Sequence, residues 1–360
     1  MITSFRLEDF KGHRDSTVPL GRLTVLVGPN GSGKTSVLEA LKIQSALVSR
    51  RVTQVLVDDW SYADLLCRGA QGPIALTSQS TWNSADCRSR IVIANSSMKL
   101  DWMQRDDARL VDCGEIYSLN SAVPHIGQII QHATLYKLKA DRIAEAAYSD
   151  RPEPDVAQDG TNTAVVLAAI KLGYDEQFDR IEELLRKVIP NVERVRIRQA
   201  IVRRPNPADR TQDEEVVGSK IFFDFRGAPG VPAHAASEGT LITLALLTIL
   251  CSPNRPGLLL LDDLADALHP QAQMELVRLI KRMLDELPDL QIVATTHSPY
   301  ILDELDPAEV IAFALRDDGT VALKPLSEHP QAEAMKGAIS AGQLWSLDPE
   351  RAWVLSGQAP

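Results

Sequence analysis

One run of residues constrains this chain more than any other: Gly28-Pro29-Asn30-Gly31-Ser32-Gly33-Lys34-Thr35. It satisfies G-x-x-x-x-G-K-[ST]. It lies between an apolar β-branched stretch, Leu23-Thr24-Val25-Leu26-Val27, and a helix-forming one, Ser36-Val37-Leu38-Glu39-Ala40-Leu41-Lys42. Strand, glycine-rich turn and helix in that order make a phosphate-binding loop, whose backbone N–H groups turn inward around an anion. The helix N-terminus adds partial positive charge, Lys34 would bridge the outer phosphates, and the Thr35 hydroxyl would ligate Mg²⁺. Asn30, Gly31, Ser32, Gly33 and Ser36 complete the expected cradle. The implied ligand is a nucleoside triphosphate; a glycine-rich turn without a ligand is the alternative that this context opposes.

A phosphate loop needs a second strand carrying carboxylates, and Gly257-Leu258-Leu259-Leu260-Leu261-Asp262-Asp263 supplies it. An unbroken apolar run reads as a fully buried central strand, and ligands bind beyond the carboxyl ends of such strands. Asp262 would hold Mg²⁺ through water and Asp263 would polarise the attacking water. An amphipathic helix is expected after Pro270 and through about Leu287, with Leu276, Leu279, Ile280, Met283 and Leu287 at helical spacing. A further buried strand, Gln291-Ile292-Val293-Ala294-Thr295-Thr296, ends at His297, which is placed to hydrogen-bond a γ-phosphate. Upstream, Ser237-Glu238-Gly239-Thr240 opens an apolar helix. Ser237 is a good N-cap, and a Ser-x-Gly helix start offers a second anion site, involving Ser237 and Gly239.

Composition excludes little. The chain has 360 residues, 44% apolar and 24% charged, as ordinary globular chains do. Its longest apolar runs are too short to span a bilayer, and Met1 to Arg6 does not read as a signal peptide, so no membrane role is expected. Cys67, Cys87, Cys113 and Cys251 are scattered without a C-x-x-C pair, which suits reduced thiols in the cytoplasm. A net charge of −10 opposes indiscriminate binding to nucleic acid. Basic residues nevertheless crowd between Arg186 and Arg204, and Arg194-Val195-Arg196-Ile197-Arg198 alternates strictly, so three arginines share one strand face. That face could be merely solvated, could track DNA phosphates, or could dock an acidic partner.

Domain boundaries are expected near residues 104 and 215. Residues 1–104 and 215–360 form the nucleotide core, and 105–214 form a mainly helical insertion that includes the basic strand. No heptad pattern runs long enough for a coiled-coil arm. Val310–Ala314 and Val321–Leu323 read as a hairpin around Asp317-Asp318-Gly319. The tail places Trp345 and Trp353 near a polar end, either packed back on the core or free for a partner.

The order of phosphate loop, Ser-x-Gly-Thr helix, Leu-Leu-Leu-Leu-Asp-Asp, Leu-His-Pro and Thr-Thr-His-Ser-Pro resembles the ABC-type ATPase heads of the RecF, SMC and OLD-like group. It is most similar to the compact OLD-like ATPases of bacterial phage-defence operons. The opening Arg6-Leu7-Glu8-Asp9-Phe10-Lys11-Gly12-His13 also looks like that group's first strand. The resemblance implies an α/β head with a mixed sheet, ATP and Mg²⁺ as cofactors, and a homodimer closed around ATP. Ser237 and Gly239 of one copy would contact the γ-phosphate held by Lys34 of the other, His297 matches the switch histidine, and Lys11 matches a basic residue that reaches the nucleotide. It further implies a nuclease-like effector on a separate chain, because about 60 residues after His297-Ser298-Pro299 are too few for a TOPRIM domain. A RecF-like repair factor and an ATP-dependent scaffold are the competing readings; a transporter subunit would carry a Ser-x-Gly-Gln signature that this chain lacks.

The chain departs from the group at the water-activating position, where Asp263 stands in place of the usual Glu. A carboxylate shorter by one methylene implies slow turnover. The glutamine that the group places after its first helix could be Gln71 or Gln79.

Overall fold

Apolar side chains at Ile2, Phe5, Leu7, Phe10 and Val18 turn inward from an antiparallel hairpin of β1 (Ile2–Phe10) and β2 (His13–Pro19). The computed structural model describes residues 1–51, 53–55, 61–82, 85–94, 97–104, 107–114, 132–206 and 212–356. After the hairpin come β3 (Leu23–Val27) and α1 (Lys34–Ser49), then β4 (Ile74–Trp82), β5 (Ala85–Ala94), β6 (Ser97–Gln104), β7 (Asp107–Gly114) and β8 (Ala133–Tyr136). Helices α2 (Thr163–Gly173) and α3 (Asp175–Val188) lead to β9 (Val192–Pro205), β10 (Asp213–Phe225), β11 (Ala228–Pro232) and α4 (Glu238–Cys251). The chain continues through β12 (Leu258–Leu261), α5 (Pro270–Glu286), β13 (Gln291–Thr295), β14 (Val310–Leu315) and β15 (Val321–Pro325). It ends in the short α6 (Ala341–Trp345) and α7 (Glu350–Val354).

Two compact units result: Met1–Leu135 with Pro256–Leu264 and Met283–Pro360, and Tyr136–Arg255 with Ala265–Arg282. The first unit holds two six-stranded sheets. One has the order β2-β1-β4-β5-β6-β7; the other has the order β15-β14-β3-β13-β12-β8. In the second sheet β14, β3, β13 and β12 run parallel, and every residue of β3, β12 and β13 is buried. That is why Leu258–Leu261 is apolar without alternation: a parallel strand covered on both faces has no solvent side. Phe5, Leu7, Leu38, Leu41, Leu260, Val293 and Phe313 share one core drawn from both sheets and α1. The hairpin around Asp318 forms as read, with Leu315 opposite Val321.

The second unit contains the three-stranded sheet β11-β10-β9 and helices α2, α3 and α4. Helix α3 opens with Asp175 and Glu176 and closes with Arg186 and Lys187, which complement its dipole. It buries Phe178, Ile181, Leu185 and Val188. The segment read as a mainly helical insertion thus carries strands β7, β8 and β9 beside its helices, and the structural division falls at different residues from the boundaries read in sequence. Among the described residues no helix is long and apolar enough to cross a membrane. Cys67, Cys87 and Cys251 form no disulfide among the described residues; the Cys113 side chain lies outside them.

The tryptophan tail packs back on the first unit. Trp353 is buried, its ring edge-to-face with His329 at 5.0 Å, and the Lys324 ammonium donates to the Trp353 carbonyl at 3.1 Å.

One buried amide ties the N-terminus to the core. The Gln291 Oε1 accepts from the Ile2 N–H at 3.1 Å, and its Nε2 donates to the carbonyls of Ile2 at 2.7 Å and Gly21 at 2.8 Å. Gln291→Leu keeps the volume but orphans these backbone groups, so unfolding in urea should show a loss of about 3 kcal/mol. A loss under about 1 kcal/mol would show that the amide is dispensable.

Candidate functional site

The parallel strands β3, β13 and β12 lie side by side, so the segments that leave their carboxyl ends converge. After Val27 the chain turns through Gly28, Gly31 and Gly33, all at positive φ (138°, 76° and 95°). Glycine is required twice over at Gly28 and Gly33. A Cβ at Gly28 would stand 2.5 Å from the Phe313 carbonyl, and one at Gly33 would stand 2.6 Å from Val321 and 2.9 Å from His13.

Helix α1 begins without a side-chain cap. Its Lys34 and Thr35 N–H groups have no partner among the described residues, the condition in which a helix start receives an anion. The Ser32 hydroxyl is buried and likewise has none. Lys34 is only 6% exposed; its ammonium donates to the carbonyls of Gly28 at 2.7 Å and Pro29 at 2.8 Å. An ammonium has three donors, so one is left to spare. Burial pushes the Lys34 pKa down, opposed by the charges of Asp263, Asp262 and Glu350. This donor set of uncapped amides, a lone hydroxyl and a cation suits the phosphates of a nucleotide.

Asp262 follows β12 and is nearly buried. Its Oδ1 accepts from the Thr35 hydroxyl at 3.1 Å and from the Thr295 hydroxyl at 2.9 Å. The Thr295 hydroxyl also accepts from the Asp263 N–H at 2.9 Å, and the Thr295 carbonyl accepts from the Leu264 N–H at 2.8 Å. One threonine therefore fixes the backbone after both aspartates. Asp263 sits at φ 61°, a left-handed conformation that costs a non-glycine residue of order 1 kcal/mol or more and points to a role for the local shape. Its side chain is exposed, as is that of His297 just beyond β13.

The other predicted residues belong to other elements. Ser237 is the N-cap of α4: its hydroxyl accepts from the Thr240 N–H at 3.3 Å and bonds the Thr240 hydroxyl at 2.8 Å. Gly239 is buried, and a Cβ there would stand 2.6 Å from Leu268, which gives the glycine a packing reason of its own. Lys11, at φ 50°, pairs with Glu39 of α1. Gln79 lies on β4 and Gln71 in the loop before it, both exposed. Arg196 is held by Asp224, with Nε to Oδ2 at 2.7 Å, and Arg198 lies over the Phe222 ring at 4.6 Å.

Two residues of the site carry no motif in the sequence. Thr295 gains its role from parallel register, which sets Leu261 beside Ala294 and hence Asp262 beside Thr295. His13, fully buried on β2, has its Nε2 3.0 Å from the Gly33 carbonyl and its ring edge-to-face with Phe313. Burial pushes its pKa down to about 4. The ring is therefore neutral near pH 7, and Nε2 must carry the proton that it donates to Gly33.

The fold is that of the ABC and SMC ATPase heads. Residues 127–303 match a family described as "AAA domain, putative AbiEii toxin, Type IV TA system", and residues 1–60 match an AAA ATPase domain. Among curated proteins, Septu protein PtuA of Bacillus thuringiensis is 41% identical over 70 residues; the match spans 19% of this chain and 17% of that protein. Among solved structures, an SMC head bound to the C-winged helix domain of ScpA superimposes with a TM-score of 0.58 at 15% identity, covering 93% of this chain and 99% of that one. The SMC head domain from Thermotoga maritima gives 0.52 at 13% identity, over 90% and 98%.

The buried His13 gives the fold an acid limb. The unfolded chain takes up its proton near pH 6.5, whereas the native ring does so only near 4, so stability falls as pH drops between those values. From pH 7 to 4.5, urea unfolding of the wild type should lose about 2.5 kcal/mol more than that of His13→Gln. Equal losses would show that the ring is not held neutral beside Gly33.

Proposed function

We propose that this chain is an ATP-binding, slowly hydrolysing ABC-type ATPase that dimerises around ATP and gates a separate, nuclease-like effector in anti-phage defence or DNA metabolism. The observation that carries the reading is the chain of hydrogen bonds from Thr35 through Asp262 and Thr295 to the Asp263 backbone, set beside a helix start with uncapped amides.

Asn30, Gly31, Ser32, Gly33, Lys34, Thr35 and Ser36 would cradle the phosphates, and Thr35 and Asp262 would hold Mg²⁺, whose bound form supplies charge neutralisation. Asp263 would orient the attacking water and His297 would report the γ-phosphate. Ser237 and Gly239, outside the phosphate loop, would serve the nucleotide of a second copy. The short stretch similar to a Septu protein supports the defence setting over a repair factor. Free thiols in the described residues suit work in the cytoplasm.

Lys34→Ala should abolish ATP binding in a filter or calorimetric assay. Asp263→Ala should keep binding and lose turnover. A carboxylate set back by about 1 Å lowers rate by up to about 10²-fold, so Asp263→Glu should raise kcat by about 10-fold or more. Fast wild-type turnover with no gain from Asp263→Glu would contradict the slow cycle. Mass spectrometry of what co-purifies in ATP should find a stoichiometric effector chain with wild type that Lys34→Ala loses. Recovery of DNA and recombination proteins alone would favour the repair reading.

A further inference from the structure

Among the described residues, the outer edge of β9 has no mate over much of its length. It ends the sheet β11-β10-β9, and its register with β10 runs unbroken from Val195 opposite Phe223 to Pro205 opposite Asp213. Along such a ladder, alternate residues direct their backbone groups toward the mate or away from it. The Val195 N–H points away, to the Glu182 carboxylate of α3 at 2.6 Å, and the Glu193 carbonyl also points away, to the Arg186 guanidinium at 3.0 Å. On β10 the same phase holds, since Ser219, opposite Gln199, exchanges both backbone bonds with Ala147 on the far edge. Helix α3 thus closes the inner end of the β9 edge. Beyond it the outward N–H and C=O groups of Ile197, Gln199, Ile201 and Arg203 have no partner among the described residues.

The side chains along this edge sort by face. Ile197 and Ile201 continue the face of the buried Val195, and Ile201 and its cross-strand neighbour Val217 are 63% and 65% exposed. The other face carries Arg194, Arg196, Arg198 and Arg204. Arg196 and Arg204 have carboxylate partners within the unit, whereas Arg198 has none among the described residues and lies on Phe222. A second copy is a poor mate, because antiparallel pairing of β9 with itself sets arginine against arginine. In a chain of net charge −10, this basic edge selects an acidic strand.

We propose that the 197–203 edge of β9 docks an extended segment of a partner protein, alternating acidic and apolar residues, by β-strand addition. Backbone bonds to Ile197, Gln199, Ile201 and Arg203 supply affinity. Carboxylates meet the arginine face, and apolar side chains cover Ile201 and Val217. The site lies in the second unit, needs no nucleotide, and goes beyond the ATPase reading without resting on it.

The test is fluorescence anisotropy of the full chain with a labelled peptide of alternating Glu and Val. A Lys–Val peptide and a single-stranded DNA of similar length serve as rivals. Gln199→Pro removes one outward N–H and spares the ladder to β10, so it should weaken the Glu–Val peptide by about 10-fold or more. Arg198→Glu should do the same without any change of backbone, and it decides the outcome if the proline variant fails to fold. Lys34→Ala should bind the peptide as wild type does, which separates this site from the nucleotide site. Hydrogen exchange should slow at the amides of Ile197, Gln199, Ile201 and Arg203. The proposal is overturned if the Lys–Val peptide binds as tightly, if DNA binds where the Glu–Val peptide does not, if no peptide binds at millimolar concentration, or if those four amides stay unprotected.

Discussion

Parallel pairing of β13 with β3 on one side and β12 on the other decides where every charged group of the site lies. The three strands are buried on both faces, so their register is held by apolar packing that tolerates no slip. That register sets Asp262 beside Thr295, and it brings the phosphate loop after β3 level with both. The threonine hydroxyl then bridges the Asp262 carboxylate and the Asp263 amide, while Thr35 reaches Asp262 from α1. Chemistry that depends on charge is thereby fixed by strands that carry almost none.

The phosphate loop is held from behind as well as from below. Phe313, Val321 and His13 close on Gly28 and Gly33 so tightly that any side chain there would collide. A neutral imidazole suits this place: it gives the Gly33 carbonyl one donor without burying a charge. The same economy is seen at Lys34, whose ammonium is turned onto two loop carbonyls rather than left bare. A loop so supported presents its free amides in one geometry, and preorganisation of that kind strengthens anion binding.

Much of this was legible in the sequence, and what was not has a common cause. The phosphate loop, the β12 run and the Ser237 cap are local patterns, in which neighbours along the chain carry the signal. Thr295, His13 and Gln291 matter through residues far away in sequence, so their roles appear only once the register is known. The arginine alternation was readable as a shared face, but the carboxylate of Asp224 opposite Arg194 and beside Arg196 was not, since it belongs to another strand. Boundaries near residues 104 and 215 follow local helix and strand signals, which do not report that β9 and β10 pair along nearly their whole length.

We propose that ATP, held by the loop around Lys34, brings two copies together through Ser237. Sedimentation velocity on Asp263→Ala, with and without ATP and Mg²⁺, measures this directly, with the double variant Asp263→Ala, Ser237→Arg in parallel. The expected result is a dimer only when ATP is present, and a double variant that binds ATP yet stays monomeric. A monomer at saturating ATP, or a dimer indifferent to both ATP and Ser237, would contradict it.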